Sequence, residues 1–490
     1  MIRHGVVRAG TILAAPGHAP AIGPGEVTYD DGRITGIRPL PATALTDEEA
    51  RLLLMPALAN AHDHGRGLRT LAYGASDSSL ETWLPALGRQ PKLDPYANAA
   101  IAFARMAESG VCAANHCHNT QDGRALLEEA EAVSRAARDT GIRVAFALPF
   151  FDRNPVVYGD AAALGEWLPE EEVPTPPPLR SLAENRALMA AAAAFEHPLF
   201  QLQYCPVGPQ WVTDETMVAI ARDSAETGRR IHMHLLETSR QRDWADAAYP
   251  GGLLNFLDSI AMLGPRLTIA HAVWLRSDEL ALLAARGVNV SVNPSSNLRL
   301  RSGHAPMAAM RAAGLRCGIG MDGMSLDDDE DMLREMRLCW HMNAAADGAA
   351  PGLDAAAILE AGLCAGRLGI TGDDGGGRLA AGAPADMMTL DFSDIARDCV
   401  DRDPDPVPLL VGRATRRHVR QVIVDGRMIV AEGRCTGIDV PALEQAFTAA
   451  ARGAMRAAPP DQPRIERMQR AIALYYADGR HCAGPGKAMS

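Results

Sequence analysis

The stretch LLLMPALANAHDH, residues 52–64, points most directly to the fold of this chain. An apolar run typical of a buried β-strand ends here in polar residues, among them His62 and His64. Alternate residues of a strand point to the same side, so both imidazoles can reach one metal ion. One H-x-H pair is weak evidence, because two histidines can equally be core or surface residues. The rest of the chain therefore decides what the pair means.

Seven further apolar runs rich in β-branched residues follow, each succeeded by a polar turn and a helical pattern. They cover residues 110–118, 142–152, 199–206, 229–237, 267–275, 287–297 and 316–323. Alternating strands and helices predict a parallel sheet, and eight such units close into a (β/α)8 TIM barrel. Polar residues lie at the carboxyl ends of these runs, where barrel enzymes assemble their active sites. The sequence thus predicts an α/β barrel enzyme.

The two flanks of the barrel have a different pattern. Residues 1–55 and 376–438 contain short alternating runs broken by Asp-Gly and Gly-Arg turns, which predict hairpins. We expect them to form one small β-sandwich beside a barrel of residues 56–375, with a helical extension over residues 439–490. The apolar faces of that extension should pack on the barrel or on a neighbouring subunit. The acidic, proline-rich residues 153–180 could cover the barrel mouth or be a solvated insertion.

Composition excludes several classes of function. The net charge is −12 and basic residues form no stripe, so we expect no nucleic-acid partner. Nine scattered cysteines without a CxxC motif favour free thiols in a reducing compartment. No secretion signal and no apolar stretch of about 18 residues is present, so we expect no membrane partner. These features predict a cytoplasmic enzyme that acts on a small molecule, and we expect a homo-oligomer.

Three later runs end in residues that could join the first histidine pair. His234 lies near the end of the fifth run and is the expected ligand, and Glu237, three residues beyond it, is the expected proton shuttle. His232 would lie about 7 Å deeper in the same strand, as a hydrogen-bonded core histidine. His271 ends the sixth run and could orient a water molecule or polarise the substrate. Asp322 ends the eighth run and could bind a metal through one oxygen and accept a proton through the other.

This combination resembles the amidohydrolase superfamily, in particular the branch of cytosine, guanine, pterin and S-adenosylhomocysteine deaminases and triazine hydrolases. The matching motifs are Pro56-Ala-Leu-Ala-Asn60-Ala-His62-Asp-His64, His234-Leu-Leu-Glu237-Thr238, Ala270-His271, Asn293-Pro-Ser-Ser-Asn297-Leu-Arg-Leu, Gly320-Met-Asp322 and Gly382-Ala-Pro-Ala-Asp386. The resemblance extends over about residues 5–435. It implies metal ligands at His62, His64, His234 and Asp322, and proton transfer by Glu237 and His271, in addition to the proton-accepting role expected of Asp322.

The scarcity of lysine selects among the metal centres of the superfamily. Its two-metal members commonly bridge the metals with a carbamylated lysine at the end of the fourth strand. Here the fourth run ends Leu202-Gln-Tyr-Cys-Pro206, and the two lysines of the chain, Lys92 and Lys487, lie near no strand end. We therefore expect one divalent metal per chain, Zn²⁺ or alternatively Fe²⁺, because three imidazoles and a carboxylate suit such cations.

The ligand set predicts a hydrolytic mechanism. The metal would lower the pKa of a bound water to about 7, giving metal-bound hydroxide at neutral pH. Asp322 would take up the released proton, and Glu237 would protonate a ring nitrogen and then the leaving group. We expect deamination of an aminated nitrogen heterocycle. Alternatives are hydrolysis of a urea, carbamate or triazine, including dehalogenation, and a metal-free scaffold protein.

Two departures from the family pattern concern the substrate. The segment His64-Gly-Arg66-Gly stands where an aromatic residue or leucine is common, and Asn115-His116-Cys-His118-Asn119 is richer in histidine than usual. The expected substrate contacts are Arg66, Trp83, His116, His118, Trp211, Asn297 and Arg299. Both tryptophans could equally be packing residues, and Arg299 could belong to a solvated turn.

Overall fold

The computed structural model describes residues 3–150, 152–153, 156–174, 179–345, 352–373 and 375–482. Its strands are β1 Gly5–Ala9, β2 Thr11–Ile12, β3 Gly25–Asp30, β4 Arg33–Pro39, β5 Leu52–Pro56, β6 Leu58–Asp63, β7 Val111–Cys117, β8 Arg143–Pro149, β9 Phe200–Cys205, β10 Ile231–Leu235, β11 Leu267–His271, β12 Asn289–Val292, β13 Arg316–Ile319, β14 Met387–Asp391, β15 Val419–Val424, β16 Arg427–Ala431 and β17 Arg434–Cys435.

The helices lie mostly between the barrel strands and after the last of them. They are α1 Asp47–Ala50, α2 Leu80–Trp83, α3 Pro95–Glu108, α4 Leu126–Thr140, α5 Leu182–Ala192, α6 Asp214–Thr227, α7 Ser239–Ala248, α8 Leu253–Ser259, α9 Ser277–Arg286, α10 Pro294–Arg299, α11 Met307–Ala312, α12 Met332–Met342, α13 Ala355–Glu360, α14 Gly366–Thr371, α15 Phe392–Ile395, α16 Pro406–Arg413, α17 Val440–Ala457 and α18 Gln462–Ala477. No helix of the described residues is long and apolar enough to cross a membrane.

Strands β6 to β13 form the predicted (β/α)8 barrel. They are parallel neighbours in sequence order. The barrel closes between its last strand, β13, and its first strand, β6. There the backbone N–H of Asp322 donates to the carbonyl of His62 at 2.9 Å. The strands are buried along most of their length, with Gln201 and Arg316 exposed near strand beginnings, as expected for a parallel sheet covered by helices. The barrel thus places the carboxyl ends of all eight strands at one face.

The two chain ends form the predicted small sandwich. One sheet has the order β17-β16-β15-β14-β5-β2, and the other has the order β1-β3-β4. Apolar residues from both ends fill the space between them, among them Val7, Val27, Leu54 and Ile423. The segments 1–55 and 376–438 therefore meet in space although more than 300 residues separate them.

The run 52–64 is not one barrel strand but two strands, and the division lies close to the expected boundary between residues 55 and 56. The stretch divides at Pro56: β5 pairs with β14 in the sandwich, and only β6 pairs with β7 in the barrel. Proline lacks the N–H that a continuous strand would need at this position. The N–H of the next residue, Ala57, donates to the carbonyl of Asp386 at 3.2 Å, which ties the crossing point to the sandwich.

The helical extension packs on the outside of the barrel. Phe447 of α17 is buried against Ala97 and Ile101 of α3. Helix α18 follows and contacts α2 together with the helical turn Leu84–Arg89. Residues 483–490 of the extension, which include Lys487, lie outside the described residues.

Candidate metal centre and active site

The first histidine pair lies at the end of β6, with both side chains on one side of the strand. The Nε2 atoms of His62 and His64 lie 3.2 and 3.1 Å from the same oxygen, Oδ1 of Asp322. Asp322 follows β13 and has φ +60°, and His271 at the end of β11 has φ +71°. Left-handed backbone at residues other than glycine is strained and is concentrated at functional sites.

Backbone carbonyls determine how two of the imidazoles are oriented. Nδ1 of His64 donates to the carbonyl of Cys117 at 2.6 Å, and Nδ1 of His234 donates to the carbonyl of Val207 at 2.7 Å. A proton on Nδ1 leaves the lone pair of Nε2 free, which is the arrangement that a metal-binding histidine requires. Both Nε2 atoms are therefore available for a cation.

His62 is oriented by a second histidine instead of a carbonyl. Its Nδ1 lies 2.7 Å from Nε2 of His232, and the two rings are stacked. His232 is completely buried, as expected for a core histidine. Sequence reasoning did not assign it this contact, which decides the orientation of His62.

The unsatisfied atoms of this cluster fit a metal ion. Nε2 of His62 and Oδ1 of Asp322 face each other without forming a hydrogen bond, and neither buried atom has another hydrogen-bond partner among the described residues. Burial lowers the pKa of His62 and of His64 to about 4 and that of His234 to about 3, so these imidazoles stay neutral. Although burial opposes its ionisation, the imidazoles of His62 and His64 hold the pKa of Asp322 well below its usual value. Neutral imidazoles and an ionised carboxylate are the forms that bind metals.

Cys117 is a further donor close to the cluster, grouped with His64 and His234. Its Sγ lies 3.6 Å from Sγ of Cys205. The contact with Cys205, together with burial, raises the pKa of the Cys117 thiol well above its usual value. Since the thiolate is the form that binds metals, the protonated thiol is a poorer ligand than the imidazoles.

Glu237 lies beside the cluster without joining it. Its Oε1 accepts a hydrogen bond from Ser302 at 3.0 Å, and its Oε2 lies 3.7 Å from Nε2 of His271. Burial raises the pKa of Glu237 to about 7, so the carboxyl can hold or release a proton near neutral pH. Ser302 has no motif around it that would have identified it from the sequence.

His271 lies between two carboxylates and two amides. Its Nε2 is 3.7 Å from Glu237 and 3.9 Å from Oδ2 of Asp322. Its Nδ1 is 2.9 Å from Oδ1 of Asn297 and 3.2 Å from Nδ2 of Asn293. A proton on Nδ1 pairs with Asn297, and a proton on Nε2 leaves Nδ1 to accept from Asn293. The ring can therefore carry its proton on either nitrogen.

Two polar side chains that sequence reasoning missed support the centre. Ser296 donates to Oδ2 of Asp322 at 2.5 Å. Asp63, between the paired histidines, accepts from the backbone N–H groups of Gly65 at 2.7 Å and Gly323 at 3.1 Å. Asp63 thereby joins the loop after β6 to the loop after β13. Its place inside the NAHDH motif is the signal that could have identified it.

A cavity of about 430 Å³ opens onto these residues. Four of the expected substrate contacts line it: Arg66, Trp83, His118 and Trp211. The remaining lining is mostly apolar and comes from Leu80, Leu84, Pro85, Leu87, Pro149, Val156, Pro174, Val207, Leu300, Met324 and Met468. Val156 and Pro174 belong to the segment 153–180, of which residues 154–155 and 175–178 lie outside the described residues.

The expectation that His116, Asn297 and Arg299 contact substrate needs correction, because none of them lines the cavity. His116 is buried beneath it against Phe103 and Phe146. Gly65 makes room for this ring, since a Cβ there would lie 2.4 Å from Cε1 of His116.

The other two residues have structural partners. Asn297 contacts His271, as described above. Arg299 is buried in ion pairs with Asp77 and Asp328.

Comparison with known proteins agrees with this geometry. Residues 53–429 match the sequence profile of the Amidohydrolase family. The chain is 28% identical over 451 residues to the 5-methylthioadenosine/S-adenosylhomocysteine deaminase of Nitratidesulfovibrio vulgaris, covering 89% of this chain and 94% of that protein. It is 27% identical to the 8-oxoguanine deaminase of Pseudomonas aeruginosa, covering 87% and 94%.

A solved structure has the same fold. It is an adenosine deaminase from Xanthomonas campestris with bound zinc, which superimposes with a TM-score of 0.76 at 24% identity and covers 92% of this chain and 98% of that one. The family profile matches well over half of the sequence. The chain therefore belongs to the amidohydrolase family and is a hydrolytic enzyme.

Proposed function

We propose that this enzyme is a mononuclear, zinc-dependent deaminase that releases ammonia from an aminated nitrogen heterocycle. The observation that carries the proposal is the position of Glu237, a carboxyl with a pKa of about 7, beside the neighbouring neutral imidazoles of His62, His64 and His234 and the carboxylate of Asp322. Removal of an amine requires a proton donor at neutral pH, and dehalogenation does not. The deaminase names of the relatives support the same reaction.

The proposed metal ligands are Nε2 of His62, His64 and His234 and Oδ1 of Asp322. When bound, a divalent metal supplies acidification of a coordinated water and polarisation of the attacked carbon. The fourth barrel strand, β9, ends in Tyr204 and Cys205. Bridged two-metal centres of other family members need a lysine at this place, so we propose one metal per chain.

The proton-transfer roles follow from the distances around His271. Oδ2 of Asp322 is the proposed proton acceptor, and Ser296 holds that oxygen in place. Glu237 is the proposed donor, first to a ring nitrogen and then to the departing amine. Both carboxylates face Nε2 of His271, and with the ring proton held on Nδ1 against Asn297 this nitrogen is the proposed carrier of a proton from Asp322 to Glu237. Asn293 and Asn297 are positioning residues in this scheme.

The test is ammonia release by the zinc-loaded enzyme from adenine, guanine, cytosine, pterin and triazine amines. Phenylureas and thiocarbamates are assayed beside them at matched concentration, with amine release as the readout. We expect turnover on at least one aminated heterocycle and its loss in Glu237→Gln. Turnover confined to ureas or carbamates would replace deamination by hydrolysis of those compounds. The homo-oligomer and the cytoplasmic location stay predictions.

A further inference from the structure

We propose that the substrate carries an apolar substituent on its heterocycle, and that Met468 of α18 forms part of the wall that selects it. This inference rests on the proposed deaminase function for the reacting end of the molecule. Its own evidence is the composition of the cavity away from the metal centre, which the reaction does not explain.

Away from the metal and proton-transfer groups, the lining, here called the outer lining, is mostly apolar, and its polar members among the described residues are Arg66, His118, Asn119 and Thr120. Two segments supply many of its apolar side chains: α2 with the following turn, in the long connection between β6 and β7, and α18 of the C-terminal extension. The residues concerned are Leu80, Trp83, Leu84, Leu87 and Met468. Met324 and Leu300 extend the surface from the loops after β13 and α10. A surface of this kind gains free energy by covering hydrocarbon and gains none by covering hydroxyl groups.

The charged groups of the lining are already engaged. Among the described lining residues outside the proposed metal and proton-transfer groups, Arg66 is the one permanent cation. Its Nη1 donates to the carbonyl of Asp322 at 2.7 Å, and its Nη2 donates to Asn119 at 3.2 Å. Its guanidinium also lies 5.6 Å from the centre of the Trp83 ring. A phosphate or carboxylate on the substrate would have to displace these contacts.

Acidic and histidine side chains near the wall have partners too. Glu81 of α2, which could otherwise bind a sugar diol, accepts from Thr238 at 2.6 Å and from Arg240 at 2.8 Å and does not line the cavity. His118 lies 2.7 Å from Glu129 and 3.1 Å from His116. The described outer lining therefore lacks the free carboxylate that recognition of a ribose would use.

Helix α18 holds Met468 at a fixed place in this wall. Gln469 donates to the carbonyl of Thr82 at 2.8 Å, and Tyr476 accepts from the backbone N–H of Tyr158 at 3.1 Å. Ile472 is fully buried on the same helix. The family match ends at residue 429, so the helix lies outside it. The C-terminal extension thus contributes to the proposed specificity wall from outside the family match.

The experiment compares one aminated ring with different substituents. Equilibrium binding to the zinc-loaded Glu237→Gln enzyme, read from tryptophan fluorescence, is measured for adenine, 9-methyl-, 9-butyl- and 9-hexyladenine, adenosine and AMP. A parallel series of N-alkylated aminotriazines tests a second ring. Ammonia release by the wild-type enzyme is measured for the same compounds. Binding and turnover are thereby recorded separately.

We expect affinity to rise about fourfold per methylene until the wall is filled. Adenosine and AMP should bind at least about tenfold more weakly than the butyl compound. Met468→Ala is made in the Glu237→Gln enzyme for binding and in the wild-type enzyme for turnover. It should weaken binding of the butyl compound about tenfold and binding of the bare ring less than about twofold. Met468→Leu should restore the binding of the butyl compound. The matched control is Leu474→Ala on the same helix, whose side chain is 46% exposed.

Two binding results would overturn the inference. One is adenosine or the bare ring binding as tightly as the alkylated compounds, and the other is no binding by any member of either series. Ammonia release that favours the bare ring or adenosine would also refute it while leaving the deaminase function intact. Conversely, selective binding of alkylated rings without ammonia release would refute the deaminase function and leave the apolar wall established.

Discussion

Nδ1 of His62 and Nε2 of His232 lie 2.7 Å apart, and this contact determines which nitrogen of His62 faces the proposed metal. An outer partner of a metal-binding histidine typically changes metal affinity by 10- to 100-fold. We expect His232→Leu to weaken zinc binding by about that factor, because it leaves the Nδ1 proton of His62 unpaired. His232→Gln, which restores an acceptor, should recover most of the affinity. His234→Asn removes a proposed ligand and should be the more severe change in turnover.

The measurement is zinc affinity by chelator competition, together with turnover. Equal zinc affinities of His232→Leu and the wild-type protein would contradict the orienting role of His232. A His232→Leu protein that binds zinc normally but unfolds more easily would reduce His232 to a packing residue.

Metal content tests the ligand set directly. Purified protein should hold close to one zinc or iron per chain, measured by inductively coupled plasma mass spectrometry. Asp322→Ala should lower this content, since it removes the oxygen that lies close to two imidazoles. Two tightly held metals per chain would contradict the mononuclear centre.

Glu237→Gln should retain the metal and lose turnover by at least about 100-fold, the range for removal of a general acid or base. Because burial raises the pKa of Glu237 to about 7, activity that depends on its proton should fall as the pH rises through about 7. The hydrogen bond from Ser302 lowers that pKa. Ser302→Ala should therefore move the alkaline limb of the pH profile to higher pH. A pH profile unchanged in Ser302→Ala would separate that limb from Glu237.

Asp386 joins the sandwich to the barrel, so we expect its substitution to lower the stability of the protein. It is fully buried, lying 3.0 Å from Arg143 of β8 and 2.7 Å from Arg367 of α14. Asp386→Asn should lower the free energy of unfolding by about 3–5 kcal/mol, because both arginines lose their nearest carboxylate. Asp30→Asn, at an exposed position of β3, is the control. Urea denaturation measures both, and equal losses would contradict the prediction.

The carboxylate of Asp386 should also make the stability of the protein decrease at low pH. Burial opposes ionisation, but Arg367 and Arg143 hold the pKa of Asp386 well below its usual value. Its contribution should be fully present above about pH 4, the range of the unfolded carboxyl, and should be lost as the pH falls further. Asp386→Asn should show a weaker acid dependence than the wild-type protein.

Removal of residues 440–490 should lower solubility and the melting temperature. Helix α17 covers Ala97 and Ile101, and α18 covers the region of Tyr158, so truncation would leave these apolar surfaces in water. Differential scanning calorimetry and sedimentation measure the two effects. Unchanged solubility, melting temperature and oligomeric size would show that the extension stabilises nothing.

The sequence by itself determined the barrel, the flanking sandwich and the cluster of proposed ligands. These features depend on local patterns: strand-length apolar runs, and polar residues where the runs end. In a parallel barrel, residues at the carboxyl ends of different strands necessarily meet at one face. His62, His64, His234 and Asp322 could therefore be grouped although up to 260 positions separate them.

Only the tertiary structure decided what depends on contacts between distant parts of the chain. Where β5 pairs depends on β14, which places Met387 opposite Pro56, 331 residues away in the sequence. The strand pattern of β7 predicts that His116 faces the cavity, but its ring instead occupies the space beneath Gly65. Met468 reaches the cavity because α18 packs against α2. The periodicity of a sequence does not predict which element a helix packs against. Local patterns determine which side of a helix or strand is apolar. Packing of the whole chain determines which other helix or strand covers that side.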